Sequence, residues 1–223
     1  MLQGAGRCNC PTAQTRGTVL GSRQRLFRLL TPIGLGAVAP ELDGEVAAAS
    51  ADDEVQRVRG YLVSQAARLT VPQLIDKLRR DALPLREAAA SVPAARFRDR
   101  PGPDDWSVAE VFSHVLDMTE HGAAAIGAVL DGERHPPAVE DRISAGSRPG
   151  LETAEDYWQA FVARREPFYA RVSRARGDEH LDVHIVHPTF GALNWREWML
   201  FMRVHDLDHL RQIQKIAASF AGA

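Results

Sequence analysis

Cysteine is almost absent from this chain of 223 residues, because its two copies, Cys8 and Cys10, both lie within the first ten residues. A C-x-C pair alone is too short to form a metal site or a disulfide framework. The remaining residues therefore provide no cysteine nucleophile and no thiolate ligand. This excludes cysteine-dependent catalysis and zinc–cysteine sites from the main body of the protein.

Long apolar runs are also missing. No stretch of 18 apolar residues occurs, so the sequence predicts no transmembrane helix. The mildly apolar stretch 29–40 is interrupted by Pro32, Gly34 and Gly36, which is not typical of a signal peptide. We therefore expect a soluble, cytoplasmic protein with no membrane partner.

Positive charge is scarce outside the N-terminus. Residues 1–40 carry five arginines and no acidic residue, whereas residues 41–223 carry 22 basic and 29 acidic residues, a net charge of −7. A nucleic-acid-binding surface needs clustered positive charge. The acidic body therefore argues against a nucleic-acid partner.

The rest of the composition is that of an ordinary globular protein, with 45% hydrophobic and 25% charged residues. A chain of this length can build a core without disulfides or a structural metal, so any metal is expected to serve function. Residues 1–50 are rich in small and polar residues and show no sustained hydrophobic period. We expect them to be a disordered leader, or the product of an over-extended gene start.

Apolar residues recur at three- and four-residue steps in five later segments, which predicts five amphipathic helices. The first begins near Asp52 and ends near Leu69. The other four are expected to start at the capping residues Thr70, Ser107, Thr153 and Asn194. Residues 177–193 have no helical period and include a short extended segment, 182–188. Four long helices after one preliminary helix predict an all-α fold, a helical bundle domain over residues 52–220.

Two of the eight histidines have a spacing with chemical meaning. His205 and His209 are four residues apart on the predicted last helix, so their rings project from one face about 40° apart. Two imidazoles in this arrangement can converge on one metal ion, at metal–nitrogen distances of about 2.0–2.1 Å. Neighbouring carboxylates can fix the tautomers of such ligands. Helix geometry places Asp208 closer to this face, whereas Asp206 could equally face solvent.

A third ligand must come from another element, and His114 is the best candidate. It lies on the third predicted helix, on the side expected to point inward. Ligands that project into a bundle core from different helices are a known way to build a metal site. Asp117 and His121 follow on nearly the same face, and either could add a fourth ligand or hydrogen-bond to bound water.

The same histidines also have a purely structural interpretation. A lone i,i+4 histidine pair is usually a coincidence on a helix surface, and a single inward histidine is more often a core residue satisfied by one hydrogen bond. The string His180, His184 and His187 invites a metal interpretation as well, because residues four apart share a face of an extended chain. Large aromatic residues such as Trp106, Trp195 and Trp198 are expected to pack at helix starts.

Two segments are similar to motifs of the DinB-like metalloprotein superfamily. This superfamily includes the bacillithiol-transferase-like proteins and the metal-binding domain of mycothiol-dependent maleylpyruvate isomerase. The first segment is Asp105-Trp-Ser-Val-Ala-Glu-Val-Phe-Ser-His114. The second runs from His187-Pro-Thr-Phe-Gly-Ala-Leu-Asn-Trp-Arg-Glu-Trp-Met to His205-Asp-Leu-Asp-His209-Leu-Arg-Gln-Ile. The resemblance covers about residues 55–220.

The resemblance implies a four-helix bundle with up-down-down-up order, frequent homodimers, and a divalent metal held by His114, His205 and His209. Zinc and nickel both suit imidazole ligands. The implied function is a metal-dependent thiol S-transferase of the mycothiol or bacillithiol type, acting on a small-molecule thiol and an electrophile. Asp117 or His121 would then assist proton transfer. The alternative is a non-catalytic, stress-associated metal-binding bundle protein.

The resemblance also bears on the histidine string. It accounts for His187-Pro as a turn before the last helix, which favours a structural role for His180, His184 and His187.

Overall fold

The computed structural model describes residues 50–139, 146 and 148–221. Five helices account for most of these residues, and the predicted all-α fold is confirmed. Helices α1 to α5 span, in order, Ala51–Arg68, Val71–Ala90, Val108–Leu130, Ala154–Val172 and Trp195–Ala221. A short 3₁₀ helix, Ala94–Arg96, follows α2, and two short strands, β1 (Ile185–His187) and β2 (Gly191–Leu193), precede α5.

The predicted leader over residues 1–50 lies, apart from Ser50, outside the described residues. In the described part of the chain, none of the helices combines the length and the apolar character that a membrane-spanning helix needs.

The helix starts follow the capping chemistry that the sequence predicts. Thr70, Ser107 and Thr153 each accept a hydrogen bond from the backbone N–H three residues on, and the side chain there reaches back to the cap. Asn194 behaves in the same way: its Oδ1 accepts from the Glu197 N–H at 3.1 Å, while Glu197 Oε2 accepts from the Asn194 N–H at 2.9 Å. Reciprocal bonds of this kind fix the residue at which each helix begins.

The directions of the helices follow from which residues meet. Contact positions run in opposite order along α2 and α4, and along α3 and α5, so both of these pairs are antiparallel. They run in the same order along α3 and α4, which are therefore parallel. Helices α2–α5 thus form a four-helix bundle with the up-down-down-up order. The contacts are Arg79–Glu166, Arg86–Glu155, Thr119–Arg165, Gly127–Arg171, His114–His205 and Gly122–Met202.

Two clusters of buried apolar side chains fill the bundle, and buried polar groups lie where one cluster gives way to the other. Along α3 the change falls between Leu116 and Met118, and along α5 between Val204 and Ile213. We call this level of the bundle the polar layer. It includes the buried residues His114, Thr119, Arg165, His205, Asp206 and His209.

A hairpin leads into α5. Ile185 of β1 pairs with Leu193 of β2, and both side chains are buried. Gly191 has a φ of +72°, in the left-handed region that favours glycine. The Trp198 Nε1–H donates to the Ile185 carbonyl at 2.8 Å, which ties the hairpin to the first turn of α5. The sequence predicts the extended chain over residues 182–188 but not the second strand.

Candidate metal centre

Three histidine side chains from two helices meet at the polar layer. His114 on α3 and His205 and His209 on α5 turn their Nε2 atoms towards one another. His205 Nε2 lies 2.9 Å from His114 Nε2 and 3.2 Å from His209 Nε2. One possible ligand atom from each residue lies within 4.8 Å of the other two. The structure thus brings together the three histidines that the sequence singles out.

This geometry fits one divalent ion. Nitrogens about 2.1 Å from an ion, at angles of about 90–110°, are about 3.0–3.4 Å apart. The two Nε2–Nε2 separations that involve His205 lie at or close to this range. Imidazole donors suit zinc and nickel equally. Within the described residues the group has three donors, which leaves positions open on a four- to six-coordinate ion.

Burial keeps the rings of His205 and His209 neutral, as metal ligands must be. None of the three side chains is more than 7% exposed. Burial, and to a smaller extent the proximity of other cationic groups, holds the pKa of His205 and of His209 well below the usual range. Both imidazoles therefore present lone pairs, not positive charges, at neutral pH.

The orientation of His209 is held by a residue that the sequence does not single out. His209 Nδ1 lies 2.9 Å from Gln212 Oε1, one helical turn further along α5. An amide oxygen can only accept a hydrogen bond, so in this contact the Nδ1–H of His209 would be the donor. Gln212 stands inside the second motif quoted above, but only its contact with the ring reveals this role.

A buried ion pair crosses the polar layer beside the histidines. One nitrogen of the Arg165 guanidinium donates to both carboxylate oxygens of Asp206, at 2.9 and 3.0 Å. Arg165 Nε donates to Thr119 Oγ1 at 2.9 Å, and another nitrogen lies 3.4 Å from the Tyr169 hydroxyl. Arg165 and Asp206 are 1% and 2% exposed. Because Asp206 adjoins His205 in sequence, this pair fixes α5 against α3 and α4 directly at the site.

The carboxylates of Asp206 and Asp208 do not have the roles beside the histidine pair that the sequence predicts for them. Asp206 does not face solvent, and its Oδ1 lies 4.0 Å from His205 Nδ1, which is too far for a hydrogen bond. Asp208 Oδ1 is buried and has no hydrogen-bond partner among the described residues. Burial raises the pKa of Asp208 to about 6. Gln212 occupies the place expected of a carboxylate next to His209.

Asp117 and His121 are not part of the donor group formed by the three histidines among the described residues. The Asp117 carboxylate is partly buried and accepts a hydrogen bond from the Arg148 guanidinium, which also pairs with Glu120 at 2.8 Å. His121 is exposed. Their predicted roles in proton transfer stay predictions.

The aromatic side chain of Trp106 borders the site. The Trp106 indole lies almost parallel to the His209 ring, at an interplanar angle of 7° and a centroid distance of 6.4 Å, and meets the His114 ring edge-on at 5.5 Å. Trp195 and Trp198 are fully buried and donate their Nε1–H groups to backbone carbonyls. The expected packing role is confirmed for these two, while Trp106, half-buried, also contacts the ligand candidates.

Among the residues that the structure describes, His180, His184 and His187 do not come together as a second group of metal donors. His184 is exposed, whereas His187 is buried in the hairpin. His187 Nδ1 accepts hydrogen bonds from the backbone N–H groups of Thr189 and Phe190, at 3.0 and 3.1 Å. Burial lowers the pKa of His187 to about 4, so the ring stays neutral. The structural role favoured for His187 is confirmed.

Comparison with known proteins supports the family resemblance of the two sequence motifs. A family model of the DinB superfamily matches residues 75–213, more than half of the chain. The uncharacterized protein YuaE of Bacillus subtilis (strain 168) is 26% identical over 134 residues, which cover 54% of this chain and 83% of YuaE. The range matched by the family model contains the three histidines, Gln212 and the Arg165–Asp206 pair.

Proposed function

The chain belongs to the DinB superfamily, and on this premise we propose that it is a divalent-metal protein that catalyses S-transfer with a low-molecular-weight thiol. One observation supports the metal above all: three buried imidazoles converge through their Nε2 atoms. Three protein ligands with further positions open are typical of catalytic metal sites, whereas structural sites are closed by four ligands. His114, His205 and His209 would hold the ion, and zinc and nickel fit equally.

The thiol part of the proposal is supported by what the chain does not supply. Residues 11–223 contain no cysteine, so in this proposal the sulfur nucleophile belongs to a cosubstrate of the mycothiol or bacillithiol type. A bound divalent ion supplies Lewis acidity, which lowers the pKa of a thiol. In the transfer, the sulfur forms a bond to the electrophilic carbon, the leaving group departs with its electron pair, and the thiol proton passes to solvent or to a base.

The side chains of this protein would act by positioning and by exclusion of water. The polar layer holds three buried imidazole rings close together, so little reorganisation would be needed when an ion enters. Trp106 covers one side of the His209 and His114 rings. The Arg165–Asp206 pair holds α5, and with it His205, against the two neighbouring helices.

Metal content tests the first half of the proposal. We expect about one equivalent of zinc or nickel per chain in the purified protein, and a loss of most of it in His205→Ala, because two imidazoles bind far less tightly than three. His184→Ala is the matched control, since it removes an exposed histidine outside the site. Equal metal content in wild type and His205→Ala would refute the site.

Thiol conjugation tests the second half. The metal-loaded protein is incubated with a panel of low-molecular-weight thiols and an activated aryl halide, and the thioether product is measured. We expect turnover by the wild type and by His184→Ala, and none above background by His205→Ala. A protein that holds its metal but conjugates no thiol of the panel would be assigned to the alternative function, a non-catalytic metal-binding bundle.

A further inference from the structure

We propose that Gln212 is a positioning residue that fixes the tautomer of His209 before any metal ion is bound. The inference rests on the proposed function, because it concerns how the same site is held ready for an ion. Its basis is the 2.9 Å contact between His209 Nδ1 and Gln212 Oε1, beside a ring that is only 4% exposed.

The contact determines which nitrogen of His209 can bind a metal. A neutral imidazole carries its proton on one nitrogen and offers a lone pair on the other, and the hydrogen bond made by one nitrogen decides the state of the other. With the proton on Nδ1, the lone pair lies on Nε2. This is the atom that faces His205 Nε2 at 3.2 Å. Gln212 therefore directs the lone pair of His209 into the candidate metal site.

The position of Gln212 on α5 keeps its side-chain amide next to the His209 ring. Residues three apart on an α-helix lie on the same face, so α5 itself holds the amide against the ring. A carboxylate commonly fills this place next to a metal-bound histidine. An amide accepts the same hydrogen bond without adding a buried negative charge, which suits a site that must also exist without its ion.

The opposite orientation of the amide makes the opposite prediction. If Gln212 presented its NH₂ group to His209 Nδ1, the ring proton would lie on Nε2, and the lone pair would point away from the site. The two arrangements differ in a property of the metal-free protein that can be measured directly.

The tautomer is measured by long-range ¹H–¹⁵N NMR spectra of the metal-free protein. We expect the Nδ1–H tautomer of His209 in the wild type and in Gln212→Glu, whose carboxylate can only accept. Gln212→Ala should show a mixture of tautomers. An Nε2–H tautomer in the wild type would overturn the proposal. This result does not depend on whether the protein binds metal or transfers thiols, so it separates the failure of this inference from the failure of the proposed function.

Zinc affinity, measured by competition with a chromophoric chelator, is the second readout. We expect Gln212→Ala to bind Zn²⁺ about 10–100-fold more weakly than the wild type, and Gln212→Glu to restore most of the affinity. Gln214→Ala is the matched control, because Gln214 is exposed on the same helix. Equal affinities of Gln212→Ala and Gln214→Ala would overturn the proposal. If Gln212→Ala does not fold, the tautomers of the wild type and of Gln212→Glu decide.

Discussion

Replacement of Arg165 and Asp206, singly and together, tests whether the polar layer is held by a coupled pair of buried charges. Arg165→Met would leave the Asp206 carboxylate buried without its partner and would remove the donor to Thr119. Asp206→Leu would leave the guanidinium buried without a counter-charge. The double variant would remove both charges and fill a similar volume with apolar atoms.

The expected losses differ sharply between the single and double variants. Breaking a buried ion pair by removing one partner typically costs about 3–5 kcal/mol, so we expect each single variant to lose that much of its free energy of unfolding. Independent losses would sum to about 6–10 kcal/mol in the double variant. Apolar replacement of a whole pair is commonly near neutral. Allowing for the hydroxyls of Thr119 and Tyr169, we expect the double variant within about 2 kcal/mol of wild type. The interaction energy between the two replacements is therefore at least about 4 kcal/mol, and about 6–10 kcal/mol if the double variant is as stable as the wild type.

The assay is urea unfolding of the metal-free protein at pH 7.5, followed by far-ultraviolet circular dichroism. Burial raises the pKa of Asp206 to about 6, against the opposing effect of Arg165, so its carboxylate is ionised at this pH. A chelator in the buffer keeps metal binding from contributing. A double variant that loses as much as the two single variants together would show that the charges are not coupled. Single losses below about 1 kcal/mol would show that neither charge is buried as described.

Two further predictions concern the hairpin and the turn before it. Burial lowers the pKa of the His187 ring to about 4 in the folded protein. Between pH 6.5 and 4, His187 therefore binds a proton in the unfolded chain but not in the folded protein. The free energy of unfolding should fall as the pH falls through this window. His187→Asn should reduce this loss of stability by up to about 3 kcal/mol relative to the exposed control His184→Asn, measured by urea unfolding at several pH values. The same dependence of the unfolding free energy on pH in both variants would contradict the prediction. Gly177 has a φ of +102°, and an added Cβ would lie 2.6 Å from an Arg196 guanidinium nitrogen, so Gly177→Ala should cost about 2 kcal/mol or more. Both glycine variants are measured by thermal unfolding. The control Gly60→Ala, where a Cβ meets nothing within 4 Å, should be neutral or stabilising. If Gly177→Ala loses no more stability than Gly60→Ala, the expectation is wrong.

The parts of the fold that the sequence predicts are those decided locally. Helix starts depend on hydrogen bonds between residues three apart, so Thr70, Ser107, Thr153 and Asn194 could be identified without any tertiary contact. The convergence of His205 and His209 is likewise a property of one helix. The placement of His114 needs the packing of α3 against α5, and for this the motif resemblance supplied what periodicity alone could not.

The sequence does not reveal the Arg165–Asp206 pair, because the two residues are far apart in sequence and each also fits its local sequence as an ordinary surface charge. Asp206 follows a histidine on a helix with many charges, so it could equally face solvent. Arg165 carries the better signal, because it lies between Phe161 and Phe168 on the buried face of α4. A charged residue at such a position must find a partner, since burial of an unpaired charge is costly. That requirement predicts a partner, but only the bundle shows that it is Asp206.

The charges of the polar layer bear on which ligands the site would accept. Arg165 and Asp206 neutralise one another, and the neutral imidazoles of His205 and His209 add no charge, so these four groups can be buried together without a net charge. A divalent ion at the three histidines would add two positive charges to this layer. The next carboxylate along α5, Asp208, has Arg211 and Lys215 near it and is already partly balanced. A site of this kind favours an anionic ligand over a neutral one, because the anion reduces the uncompensated charge in a medium of low polarity. Under the proposed function, a thiol that loses its proton would meet this requirement, whereas a neutral carbonyl compound would not.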